Sequence, residues 1–244
     1  EIVIDATGTT VSGTAQYAAY VIVGHGGSNT GGWGDAVSRT SGNGNLSGDI
    51  VVAAEGGLFM RGGRSNSFSQ IGHGGHGILG DKDGNITVLA EIIDMRGGSL
   101  PGGATSGTSR AGTRIGHGGY DSYSTLAGVH SGYSGDIYVK SDSSIYGEQS
   151  LEITDSSGAN DWQIGHGGYR SGVVQYNQLQ RDGRETTGAN LASDLQVAYT
   201  LEGHTGAIYV EATGGDITVF ASSRGNAAAM IGHGGREVHG NHNL

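Results

Sequence analysis

The word Ile-Gly-His-Gly-Gly begins at Ile71, Ile115, Ile164 and Ile231, and a fifth copy begins at Val23. It sets His25, His73, His117, His166 and His233 at spacings of 48, 44, 49 and 67 residues. Words that return at such intervals mark a repeat architecture, in which each unit is one small motif stacked on the next. A second word keeps step with the first: Gly-(Asp/Asn/Ala)-Ile-x-Val, starting at Gly48, Gly84, Gly135 and Gly206. The opening Glu1-Ile2-Val3-Ile4 reads as the same second word without its glycine.

One full unit runs from 206 to 235: a strand at Ile208–Ala212, a Gly214-Gly215 turn, a strand over 217–221, a turn over 222–226, and a strand over 227–232 that ends on His233-Gly234-Gly235. The unit at 48–75 repeats the plan with strands at 50–54, 58–61 and 68–72. Apolar and polar residues alternate in each strand, the period of a half-buried strand. The pattern predicts an all-β fold, a right-handed parallel β-helix of about five three-stranded coils, over one block, 1–244. The coils are 2–27, 48–75, 84–119, 135–168 and 206–235. The hand follows from the right-handed rule for parallel crossovers. Stacked at roughly 4.8 Å, five coils stand about 24 Å tall.

Between the words lie gaps of 20, 8, 15 and 37 residues, all following His-Gly-Gly and so expected at one corner. Insertions on one edge of a repeat array carry what is specific to it. The insertion loops are 28–47, 120–134 and 169–205, and those at 28–47 and 169–205 are the candidate ligand loops of an alternative reading, a carbohydrate- or protein-binding module. Trp33, Tyr176 and Tyr199 offer aromatic rings for host or surface glycans. The stretch 191–201 alternates well enough for an extra strand.

Composition narrows the classes further. Gly supplies 50 of the 244 residues and Pro only 1, about three times the usual ~7% glycine. No Gly-X-Y period accompanies it, which excludes collagen. Thirteen Lys and Arg against 23 Asp and Glu give a formal charge of −10, which argues against nucleic acid as a partner. With no Cys, disulfide frameworks, thiolate zinc sites and thiol nucleophiles are excluded. No apolar run reaches 18 residues, so no helical membrane span is expected.

Gly48–Ala54, Gly84–Leu89, Gly135–Val139, Gly215–Ala221 and the five His-Gly-Gly words resemble the repeats of filamentous haemagglutinin-like adhesins of the autotransporter and two-partner type. The resemblance covers the five coils and not the loops. It implies a large protein of the bacterial cell surface, extracellular, in which repeated coils build a structural or adhesive fibre and the ligands vary. The two ends fit that expectation. Asn45-Leu46-Ser47-Gly48-Asp49-Ile50 compares with Asn243-Leu244 followed by a copy of Glu1-Ile2. The coils are thus expected to continue, covalently or by head-to-tail assembly of the protein with itself.

Coils in register would stack His25, His73, His117, His166 and His233 in one column, with Ile71, Ile115, Ile164 and Ile231 on the same face. Three readings of that column are open: a structural ladder, a metal site for a divalent ion, since imidazole is a common ligand, and a pH switch. The repeated inward placement and flanking glycines favour the ladder. His76, His130, His204, His239 and His242 read as separate surface histidines. Gly31-Gly32-Trp33-Gly34-Asp35 resembles a calcium-binding nonapeptide but has no tandem copies. Asn85-Ile86-Thr87 matches the glycosylation sequon within an expected strand.

An enzyme on such a scaffold needs carboxylates converging on one face. Asp5, Glu55, Asp94, Asp142, Glu152 and Glu211 are instead expected at corners or on outward positions, and no Gly-x-Ser-x-Gly elbow occurs. The sequence therefore points away from catalysis, assigns no cofactor, and leaves calcium or another divalent ion as the open alternative.

Overall fold

The computed structural model describes residues 1–6, 20–28, 45–63, 67–78, 80–98, 112–120, 132–148, 161–168, 204–221, 228–234 and 242–243. Those residues form strands and turns with no helix, in four sheets whose strand pairs are all parallel. Parallel strands throughout an all-β chain are compatible with a β-helix.

The seven-stranded sheet holds Ile2–Asp5, Ile50–Arg61, Ile86–Arg96, Ile137–Ser141, Ile145–Glu148, Ile208–Ala212 and Ile217–Phe220. Ile50, Ile86, Ile137 and Ile208 stand in register, and so do Val52, Val88, Val139 and Val210. The second sheet stacks Tyr20–Val23, Phe68–Ile71, Thr113–Ile115, Trp162–Ile164 and Ala229–Ile231. Each strand pairs with its equivalent in the next repeat, so residues at equivalent positions stand beside each other along the stack. The reason is the period of 2: a slip by one residue would turn every apolar side chain outward. Val51 is 70% exposed while its neighbour Val52 is buried.

The core lies between these sheets. Leu58, Ile93 and Ile145 from the first, with Ile71, Ile115 and Ile164 from the second, are completely buried. One repeat fills this core differently. Trp162, fully buried, stands where other repeats have Ser69 and Thr113. Facing it is Gly147, where other repeats have Met60, Met95 and Val219. A Cβ on Gly147 would lie 2.1 Å from the Trp162 ring. A large residue on one sheet is matched by the loss of one on the other, as close packing requires.

Several expectations need correction. The unit has more than three strand pieces. Gly26–Ser28, Gly74–His76 and Gly118–Tyr120 form a third sheet. Leu46–Ser47, Lys82–Asp83, Tyr133–Ser134, His204–Thr205 and His242–Asn243 form a fourth. The ends of the loops 28–47, 120–134 and 169–205 thus belong to the stack. Two-residue strands are too short for alternation to reveal them. The opening strand is also not the second word: Ile2 pairs with Leu58 and Ile4 with Met60, so Ile2–Asp5 belongs to the column after the register shift at Ala54/Gly57. Ile-x-Ile and Leu-x-Met have the same alternation, and four residues cannot distinguish the two columns. Likewise His242 and Asn243 align through the fourth sheet with Leu46 and Ser47. Asn243 thus stands level with Ser47, two places on from Asn45, with which the sequence comparison aligned it.

Candidate functional site

The two sequence words meet at one corner. After each strand of the second sheet the chain enters Gly-His-Gly, and its glycines are sterically obliged. Gly72 has φ 148° and Gly74 φ 128°, conformations that L side chains rarely adopt. A Cβ on Gly72 would stand 2.0 Å from the carbonyl oxygen of Gly116 in the next repeat. This close approach carries a run of backbone bonds: Gly116 N–H donates to Ile71 O at 2.8 Å, and Gly118 N–H to His73 O at 2.9 Å. The pattern recurs at Gly165 and Gly167 and at Gly232 and Gly234.

Between the glycines, the five histidines stand in one column. Successive ring centroids are 5.0, 4.8, 4.8 and 4.9 Å apart, with interplanar angles of 15° or less. Each histidine donates its backbone N–H to Nδ1 of the next ring: His25 to His73 at 3.0 Å, His73 to His117 at 2.9 Å, His117 to His166 at 3.0 Å and His166 to His233 at 3.2 Å. An Nδ1 that accepts carries no proton, so Nε2 carries it in the neutral ring. Nε2 then donates to the first glycine of the same repeat's second word: His73 to Gly48, His117 to Gly84, His166 to Gly135 and His233 to Gly206, each at 2.8 Å. Each of these four rings therefore closes its own unit, across 25 to 33 residues, and binds it to the unit before.

Burial dominates the ring electrostatics. It pushes His117 down to about 4 and His166 to about 3, and lowers His73 and His233 as well. The bond from Nε2 to the glycine carbonyl opposes the shift in each. Neighbouring rings add to it at His73, His117 and His166. His117 and His166 therefore stay neutral through the range in which exposed imidazoles titrate. In His73, His117, His166 and His233 both ring nitrogens are already engaged, and a metal would have to displace a backbone bond. Among the described residues no group of three His, Asp or Glu side chains is placed to hold a metal ion.

Two further columns brace the corner. Gln70 Nε2 lies within 3.2 Å of the carbonyls of His73, Gly116 and Gly118. Gln163 repeats this on His166, Gly232 and Gly234, and Arg114 between them donates to Gln163 Oε1 at 3.2 Å. At the second word, Asn85 N–H donates to Asp49 Oδ1, Asp136 N–H to Asn85 Oδ1 and Ala207 N–H to Asp136 Oδ1. Asn85 thus lies ahead of its strand, in this side-chain ladder. Asp/Asn in the second word and Gln before Ile-Gly-His were visible signals for both columns.

The fourth sheet holds a group that the sequence did not signal. Lys82 is fully buried, and its ammonium donates to the carbonyls of Ile78, at 2.8 Å, and Gly80. It lies 4.9 Å from the centroid of the Tyr133 ring, which stacks on His204 at 4.4 Å. Burial lowers Lys82 to about 7, against the opposing pull of Asp81. His204, read as a surface histidine, is fully buried. Asp94 is also not open to solvent: it is 6% exposed, between Arg61 at 2.9 Å and Arg96 at 3.0 Å. Trp33, Tyr176, Tyr199, His130, His239, Glu152, the Gly31–Asp35 motif and the stretch 191–201 lie outside the described residues. Comparisons with family models, with curated proteins and with solved structures return no match.

Proposed function

We propose that the chain is a block of a right-handed parallel β-helix, and that it serves as a structural or adhesive component of an extracellular fibre on a bacterial surface, without catalysis. One observation carries this reading: the repeated polar groups are spent on holding one repeat to the next. The histidine rings, the Gln70 and Gln163 amides and the Asp49–Asn85–Asp136 ladder all bond along the stack.

Cryo-electron microscopy of the protein on its native surface tests the reading. Continuous right-handed fibres with layers about 4.8 Å apart are expected. Discrete particles with both ends covered would overturn it.

A further inference from the structure

The outer face of the seven-stranded sheet carries chemistry that the stack does not use. After the register shift, outward side chains of three middle repeats form two adjacent columns: Phe59, Asp94 and Tyr146 in one, Arg61, Arg96 and Glu148 in the other. Asp94 organises this grid. Its two carboxylate oxygens accept from Arg61 at 2.9 Å and from Arg96 Nε at 3.0 Å. The Arg61 guanidinium also lies over the Phe59 ring, 5.8 Å from its centroid, and is fully engaged. Arg96 is not. Its terminal nitrogens have no hydrogen-bond partner among the described residues, and the nearest Glu148 oxygen is 4.0 Å away, too far for such a bond. The Arg96 and Glu148 side chains are 52% and 39% exposed, and Tyr146 beside them is 44% exposed.

We infer that Tyr146, Glu148 and Arg96 form a docking site for a neutral polysaccharide, with a pyranose ring stacked on the phenol and its hydroxyls between the carboxylate and the guanidinium. This rests on the adhesive part of the reading above and names its ligand class. A donor and an acceptor 4.0 Å apart do not satisfy each other, but a hydroxyl, which both donates and accepts, bonds the two at once. The C–H face of a sugar ring suits the negative face of an aromatic ring. The groups stand on paired strands, and Asp94 already fixes Arg96, so little order is lost on binding. Charge decides the class of sugar. Two guanidiniums and two carboxylates sum to zero in this grid, while the chain as a whole carries −10. A uronate or sulfated chain would meet guanidiniums already paired and a repelling field; a neutral chain meets neither penalty. Layers about 4.8 Å apart advance by about one sugar residue, so an extended chain can run along the columns with successive residues over successive repeats.

Nuclear magnetic resonance titrations of the full chain test this, with cellohexaose, maltohexaose and mannohexaose as neutral probes and hexagalacturonate as the acidic one. Binding of a neutral hexasaccharide with a millimolar Kd is expected. Tyr146→Ala should weaken it by about tenfold, Tyr146→Phe should preserve it, and Glu148→Ala should weaken it by about fivefold. Both positions are exposed to solvent, and an unchanged far-ultraviolet circular dichroism spectrum checks the fold of each variant. No response to any neutral probe at about 10 mM, tighter binding of hexagalacturonate, or equal binding by Tyr146→Ala would overturn the site. Each of those results leaves the fibre reading standing, which images of the native surface decide separately.

Discussion

Two columns run side by side through this molecule. At the Gly-His-Gly corner every repeat uses the same residue, and the rings of His73, His117, His166 and His233 make the same two backbone bonds. In the fourth sheet the equivalent positions are Leu46, Lys82, Tyr133, His204 and His242, four residue types for one place. The difference lies in what the side chain is bonded to. A histidine that satisfies a buried N–H and a buried carbonyl is replaceable only by a group with both functions at the same distance. A side chain that mainly fills space, next to backbone groups paired elsewhere, can vary provided its own polar atoms find partners. Lys82 meets that condition with two carbonyls and a ring face.

The largest expected difference between the columns is in acid. His117 and His166 have lowered folded-state values of about 4 and 3 against an ordinary 6.5. Below pH 6.5 the unfolded chain takes up protons that the folded chain refuses, so their stabilisation is complete above that pH and is lost as the pH falls toward the folded values. Each ring contributes about 1.4 kcal/mol per pH unit in that window. Urea unfolding at pH 6.5 and 4.5 is expected to differ by about 5 kcal/mol from these two rings, and an unchanged midpoint would refute their burial as neutral groups.

Nearly as large is the effect of removing one ring. His166→Leu leaves the His117 N–H and the Gly135 carbonyl without partners. At roughly 1–3 kcal/mol for each orphaned group, a loss of about 3–5 kcal/mol is expected in denaturant titrations, together with a shallower acid dependence. Gly116→Ala belongs in the same range, since its Cβ would meet the Gly165 carbonyl at 2.0 Å at a φ of 150°. A loss of about 4 kcal/mol is expected, visible as a lower thermal midpoint.

The other column titrates on the opposite side of neutrality. Lys82, lowered to about 7, is neutral in the folded chain at a pH where the unfolded chain still carries its proton. Stability is therefore expected to rise between pH 7 and about 10 by roughly 1.4 kcal/mol per unit. Lys82→Met should flatten that rise and change stability near pH 9 by less than about 1.5 kcal/mol. The smallest effect belongs to the exposed ladder. Asp136→Ala removes one bond to the Ala207 N–H and is expected to cost about 0.5–1 kcal/mol.

These contrasts also mark what the sequence made legible. The repeating words located the histidines and isoleucines because each is fixed by a bond or a core position common to every repeat. They did not reveal that the His73 ring reaches back to Gly48, although that bond explains why the two words keep step. Lys82 and Tyr133 left no signal, because in their column the residue changes at every repeat up to His204. Ile2–Asp5 was assigned to the wrong column because alternation alone does not distinguish neighbouring strands of equal period. Asp94 read as outward from that alternation, and its carboxylate is nevertheless shielded by two guanidinium groups from adjoining strands.

The exchange of Trp162 with Gly147 bears on how such a chain finds its own alignment. Repeats that look alike invite mispairing, in which a strand settles beside the wrong neighbour and traps the chain one step out. The Trp162 ring occupies the space that a side chain at Gly147 would take. Shifted by one repeat in either direction, it would meet the side chain of Met95 or of Val219 instead. One mismatched pair thus works as a key in an otherwise uniform lock, letting a monotonous sequence count its own turns.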